Sequence, residues 1–250
     1  MSVRPLGRKA YGSIGHLPGS NTGPTDSTVP EGQSKICQKK ARPGDEIIIM
    51  EKLDGTCVSV ANIDGCIVPL VRAGYIADTS PHYVHHLFFD WVGKHAELFK
   101  DLPDRWRIVG EWMPMTHGTL YAWQGSPWVC FDVFNERNER LVWSEAKQWI
   151  ERCGQRPAST IENDGQPMTA TKAYLCRLPT GGFYNAIAKP EGVVYRVERE
   201  GKVDFMAKWV HRSFVPGRYL SSVTGGAPIW QCDPSVLGAS GKYLAIKEAA

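Results

Sequence analysis

Glu51–Thr56, EKLDGT, follows directly on the apolar run Ile47–Met50, IIIM. The run reads as a buried strand, Asp54-Gly55 as the turn that ends it, and TCVSVA (56–61) as a second strand. On its own the stretch says strand, turn, strand. A lysine two residues before an Asp-Gly pair carries chemistry only if partners stand elsewhere in the chain.

Working outward, the strand character continues. EIIIME (46–51), TCVSVA and CIVPLVR (66–72) are short β runs, with a second Asp-Gly turn at Asp64-Gly65. SPHYVHHLFFDWVGKHAELFK (80–100) then reads as a helix. Ser80 is placed to cap it and Pro81 to open its first turn, and Val84, Leu87, Phe88, Trp91, Val92 and Leu98 recur at helical spacing. His82 and His86 stand four apart, without the intervening glutamate of H-E-x-x-H, and read as ordinary helix histidines. Two more strands follow, WRIVGEWM (106–113) and WVCFDVF (128–134). A helix over SEAKQWIERC (144–153) and a short helical candidate over 169–178 come next. The chain then forms a hairpin, EGVVYRVE and KVDFMAKWV, turning at Glu200-Gly201. The pattern predicts one antiparallel-rich α+β domain with helices on the sheet faces.

The 250 residues are ample for a core. Residues 1–45 are rich in Gly, Pro, Ser and Thr and lack periodicity. They read as a loop-rich arm, either flexible or wrapped on the core, with composition leaning to flexibility. Residues 46–215 carry the strand and helix pattern of the expected folded domain, and 216–250 form a weakly patterned tail. Seven scattered cysteines without a C-x-x-C pair argue against a disulfide framework or a thiolate zinc site, and fit a reducing cytoplasm. No apolar run is long enough for a bilayer, and the N-terminus lacks a signal-peptide core. The net charge of +3 is weakly basic, so nucleic-acid contact must rest on local patches. KICQKKAR (35–42), with four cations and no acid, reads either as a solvated surface or as such a patch.

Polar residues stand inside otherwise apolar strands: Glu111 in IVGEWM, Asp132 in VCFDVF, Glu191 before GVVYR and Lys208 in VDFMAK. Singly, each reads as an outward-facing side chain on a half-solvated strand. With Lys52 they suggest a nucleotide site on strand ends, with one nucleophile, carboxylates, an aromatic and cations.

In order, EKLDGT, VGEWM, CFDVF, PEGVVYR and VDFMAKWV resemble motifs I, III, IIIa, IV and V of the covalent nucleotidyltransferases, the polynucleotide ligases and messenger-RNA capping enzymes. Within that superfamily the chain most resembles the ATP-dependent RNA ligases; YGSIGHLPGS (11–20) is also similar to small ligases of this group. The resemblance implies an ATP-grasp-like ligase adenylation fold. It implies a reaction with ATP and Mg2+ or Mn2+ that seals RNA with 5′-phosphate and 3′-hydroxyl ends through lysyl-AMP and adenylylated RNA. Lys52 would attack the α-phosphate. Since a free lysine titrates near about 10.4, its pKa would have to be lowered. Asp54 would orient Lys52 or cap the turn, and Gly55 would let the backbone approach the nucleotide. Glu51 and Leu53 flank the nucleophile as nucleotide contacts. Glu111 would hold the ribose hydroxyls or a metal, Glu191 the metal, and Lys208 the α-phosphate. Phe131 would stack on adenine, unless it is a core residue. Arg72 would touch the nucleotide or the RNA phosphate.

The sequence departs from the family pattern in two places. RNA ligases often carry Lys-x-Lys in motif V. Here Met206 takes the first position, leaving Lys189, Arg196 or Lys202 to supply a second cation. Alternation puts Asp204, Met206 and Lys208 on one face and Phe205, Ala207 and Trp209 on the other. The 42 residues after Lys208 are too few for the OB-fold domain of DNA ligases and capping enzymes, so none is expected. A minimal DNA ligase, or a nucleotide- or RNA-binding protein that does not ligate, stand as alternatives.

Overall fold

The computed structural model describes residues 3–177, 181–233 and Leu237. Among them the strands are β1 (Gly15–His16), β2 (Asp45–Lys52), β3 (Thr56–Ile63), β4 (Cys66–Val71), β5 (Arg107–Trp112), β6 (Trp128–Phe134), β7 (Arg156–Pro157), β8 (Thr160–Ile161), β9 (Gly192–Arg199) and β10 (Lys202–Val210). The helices are α1 (Glu31–Gln38), α2 (Tyr83–Lys94), α3 (Trp143–Arg152), α4 (Ala170–Arg177) and α5 (Ser221–Thr224). No helix among the described residues is long and apolar enough to cross a membrane.

The strands form two five-stranded sheets. Sheet one has the order β1-β10-β9-β2-β8, and sheet two β4-β3-β5-β6-β7. Every pairing is antiparallel except β1 with β10 and β6 with β7. The result is the mixed α+β, antiparallel-rich architecture expected.

EKLDGT departs from its local reading. β2 pairs with β8 and β9, whereas β3 pairs with β4 and β5. Leu53–Gly55 is therefore no hairpin turn; it carries the chain from one sheet to the other. The true hairpins turn at Asp64-Gly65 and Glu200-Gly201, where both residues take positive φ as a type I′ turn requires. Neither Asp54 nor Gly55 does.

The run IIIM is uninterrupted because β2 is covered on both faces. Ile48 and Met50 join Val58, Val60, Leu87, Phe88 and Trp112 in a core between the sheets and the helices of sheet two. Ile47 and Ile49 join Val193, Tyr195, Ala207 and Trp209 under α4. Each such side chain contributes about 1.5–3 kcal/mol of burial.

Helix α2 is shorter than its pattern: it starts at Tyr83, after His82, and stops at Lys94, with a 3-10 turn over Ala96–Phe99. Ser80 does not cap it in the usual way; its hydroxyl meets the His82 amide and His85 Nδ1 instead. His86 Nε2 lies 2.6 Å from the Ser80 carbonyl. Helix α4 matches its candidate to Arg177; Leu178 lies outside the described residues.

The N-terminal arm is wrapped rather than loose. Leu6 and Ala10 pack on Ala61 and Leu70, Tyr11 on Val109 and Phe134, and Leu17 and Cys37 in the core of sheet one. In KICQKKAR, Lys35 pairs with Glu31, and Arg42 pairs with Asp45 and Asp204, so two of its four cations are already satisfied by neighbouring carboxylates.

Candidate active site

An open cleft of about 800 Å3 lies where the two sheets meet. Sheet one supplies Met50, Lys52, Val194, Met206 and Lys208. Sheet two and its flanks supply Cys57, Arg72, Glu111 and Phe131. Glu51 and Leu53 complete the β2 edge, and Tyr11, Gly12 and Ile14 come from the N-terminal arm.

Strand register brings these groups together. Lys52 is paired with Gly192, so Glu191, one residue earlier, stands beside it: Lys52 Nζ donates to Glu191 Oε2 at 2.7 Å. Glu111 lies across from Cys57 on β5, and its Oε1 accepts the Gly55 amide at 3.2 Å. Val194 is opposite Lys208 on β10. Phe131 falls in a bulge, because Val109 pairs with Asp132 while Gly110 pairs with Cys130. A bulge re-aims a side chain, and here Phe131 reaches the cleft lining, edge-on to Tyr11 at 5.3 Å between centroids.

Burial works against the charge of Lys52, yet Glu191, Glu111 and Asp54 outweigh it and raise its pKa. This is the reverse of what the sequence reading required of a nucleophile. Burial pushes Glu111 up to about 7, with Lys52 pulling the other way. Glu191 moves in the same direction, to about 7, for the same reason. The upward shifts of Lys52 and Glu191 share one setting: three carboxyls crowd two lysines in a poorly solvated site. An ammonium persists on Lys52 while a carboxyl beside it tends to keep its proton. Burial and the nearby Lys52 lower the pKa of Lys208.

The Asp54 carboxylate adds its charge to the field at Lys52 and does more than cap a turn. Its Oδ2 accepts the amides of Gly118 and Thr119, both at 2.6 Å, tying the sheet junction to the loop after β5. Gly55 permits a close contact within the fold. A Cβ there would come within 2.6 Å of Met113 Sδ and 2.7 Å of the Trp112 carbonyl, so the close approach it permits is to the end of β5. The Glu51 carboxylate turns to the Phe183 amide at 2.7 Å. Leu53 is buried in the core between the sheets. Arg72 reaches Gly12 O and Ser13 Oγ, both at 3.2 Å, and so fastens the arm at the cleft rim.

Of the three substitute cations, Arg196 is fully consumed elsewhere. It is buried, meets Asp132 at 2.9 Å and Glu198 beside it, and donates to the Leu141 carbonyl. Asp132, also paired with Arg140 at 2.7 Å, thus belongs to an inter-sheet clamp rather than to the cleft. Lys189 and Lys202 are exposed and outside the cleft lining. Met206 and Lys208 face the cleft as alternation predicts, but Asp204 does not join them. The register shifts between Val203 and Phe205, and Asp204 turns out to Arg42. The arm residues Tyr11, Gly12 and Ile14 escaped the sequence reading as site residues; their only signal was the family-like stretch YGSIGHLPGS.

No group of three or more His, Cys, Asp or Glu side chains able to hold a metal occurs among the described residues. Glu111 and Glu191 offer hard oxygen donors. That set fits a divalent cation that keeps most of its waters and is held by one or two carboxylates together with phosphate oxygens. The raised carboxyl pKa values point the same way, since a cation would relieve their crowding.

The RNA ligase family model matches residues 45–210. No curated protein matches the chain. Among solved structures, a lysine-to-alanine variant of Naegleria gruberi RNA ligase with ATP and Mn superposes with a TM-score of 0.56 at 18% identity, over 82% of this chain and 61% of that one. A lysine-to-methionine variant of that ligase with AMP and Mn gives 0.55 at 17%, over 82% and 61%. The same ligase with PPi gives 0.53 at 17%, over 85% and 62%. The chain thus spans about three-fifths of the length of these structures, and the likeness is one of fold.

Proposed function

The chain belongs to the RNA ligase family, and from that premise we propose that it is an ATP-dependent RNA ligase whose nucleophile is Lys52. The Lys52 amine attacks the α-phosphorus of ATP, forming a P–N bond and releasing pyrophosphate. The 5′-phosphate of an RNA end then takes the AMP and frees Lys52. A 3′-hydroxyl attacks that activated phosphate, forms the phosphodiester and releases AMP. A lysine ammonium set between carboxylates at the junction of two sheets, Lys52 Nζ 2.7 Å from Glu191, is the observation that carries this reading.

A divalent cation, Mg2+ or Mn2+, would be held by Glu111 and Glu191 with the phosphates, and would supply charge neutralisation at the polyphosphate. With those carboxylates engaged, Lys52 loses the field that raises its pKa and can give up its proton. The cleft chemistry supports adenosine bound with its base against Phe131 and the α-phosphate toward Lys208. The seven cysteines are all unpaired, and the proposal places the reaction in a reducing cytoplasm.

Incubation with ATP labelled at the α-phosphate, with Mn2+, followed by nicked and single-stranded substrates, tests the assignment. Label on the protein that moves to 5′-phosphorylated RNA supports it. Transfer to DNA alone would make the protein a DNA ligase, and absence of covalent label would leave a nucleotide-binding protein.

A further inference from the structure

The N-terminal arm carries charge to the back of the phosphate cation. β1 runs parallel to β10 with His16 beside Lys208 in register, and the Leu17 amide donates to the Lys208 carbonyl at 2.8 Å. The segment then folds back. The His16 amide meets the Ser27 carbonyl at 2.8 Å and the Val29 amide meets the His16 carbonyl at 2.9 Å. This return brings Asp26 within 3.9 Å of Lys208 Nζ through Oδ1. Its other oxygen, Oδ2, accepts the Gly23 amide at 2.9 Å and lies 3.2 Å from His16 Nε2.

The His16 ring is only 2% exposed. Its Nδ1 is 2.6 Å from Ser20 Oγ, and that oxygen accepts the Val210 amide at 2.8 Å. Nε2 faces the Asp26 carboxylate. A neutral ring suits a site where burial and Lys208 both disfavour the imidazolium. On the same face of β10, the Tyr11 hydroxyl meets Met206 Sδ at 3.6 Å. The arm therefore touches both cleft-facing residues of the strand that lacks its usual first lysine.

We infer that Asp26, backed by His16, is a positioning residue that holds the Lys208 ammonium toward the α-phosphate, so that one lysine serves where relatives of this kind often carry two. This rests on the proposed adenylylation of Lys52. Lys208 would otherwise have freedom to swing along its four-carbon stem, and a cation that must order itself during reaction stabilises the transition state less. Asp26 does not touch the substrate; it acts through Lys208 alone.

Single-turnover formation of lysyl-AMP, with ATP affinity measured separately, tests the inference in Asp26→Asn, Asp26→Glu and Lys208→Met, and in Asp26→Asn combined with Lys208→Met. Asp26→Asn should slow adenylylation about tenfold, the scale of one misplaced charge-assisted contact, with ATP affinity nearly unchanged. Asp26→Glu should recover much of the rate. In the Lys208→Met background, Asp26→Asn should add no further loss. Equal slowing in both backgrounds would mean that Asp26 only supports the fold and would overturn the inference, as would an Asp26→Asn protein as fast as wild type. Failure of the wild-type protein to take label would remove the parent reading and this inference together; labelled wild type with an unaffected Asp26→Asn removes the inference alone.

Discussion

At the scale of the residue, the site is defined by an imbalance: Asp54, Glu111 and Glu191 surround Lys52 with too few cations to match. Since Glu111 and Glu191 are pushed up to about 7, they release their protons as pH rises through that value, and a metal must compete with those protons below it. Mn2+ should therefore bind the ATP complex more tightly at pH 8 than at pH 6. Glu111→Gln, which removes one titrating group, should flatten that rise. Metal titrations at the two pH values check it, and equal or tighter binding at pH 6 would contradict it. Gly55 offers a second test. An added methyl meets the Trp112 carbonyl at 2.7 Å, and main chain cannot move aside as a flexible side chain would. Gly55→Ala should cost about 1–3 kcal/mol of stability, read by chemical denaturation.

At the scale of the element, the long strands were legible because each is a run of β-branched and aromatic residues with turn residues at its ends. The pairing of β2 was not. Asp54-Gly55 has hairpin chemistry, and only the partners of β2 and β3, far off in sequence, reveal a sheet junction. The two-residue strands β1, β7 and β8 are too short for any periodicity, and α1, at eight residues, forms through Cys37 packing rather than propensity. The site residues Lys52, Glu111, Phe131, Glu191 and Lys208 could be ordered along the chain by motif resemblance. The roles of Asp54 and Arg196 could not, because each depends on a partner over 60 residues away. Arg196 and Asp132 join β9 to β6 across the sheets, fully buried. Asp132→Ala leaves Arg140 without its carboxylate and the buried Arg196 with Glu198 alone, and should destabilise the protein by about 3–5 kcal/mol, measured by urea unfolding. On helix α2, burial lowers His85 to about 4. A histidine with a folded pKa below its unfolded value adds stability that is complete above about 6.5 and is lost as pH falls toward 4. His85→Gln should remove on the order of 1–2 kcal/mol of that acid-induced loss, seen by comparing unfolding at pH 7.5 and pH 4.5.

At the scale of the whole molecule, the cleft has three walls, one from each sheet and one from the wrapped arm. Composition pointed to a loose N-terminus because Gly, Pro, Ser and Thr are abundant in it and periodicity is lacking, yet single apolar anchors such as Leu6, Tyr11 and Leu17 hold it down. A nucleotide bound between three walls stabilises the folded state by mass action, by about 2.7 kcal/mol at a hundred times its dissociation constant. The central claim is that Lys52 becomes covalently adenylylated. The most direct test is to incubate the protein with ATP and Mn2+, digest it, and locate the added AMP by mass spectrometry, with Lys52→Ala alongside. The account predicts one AMP on the Lys52 peptide, joined by a P–N bond that acid breaks and alkali spares, and none on the variant. AMP on another residue, or equal labelling of Lys52→Ala, would contradict it.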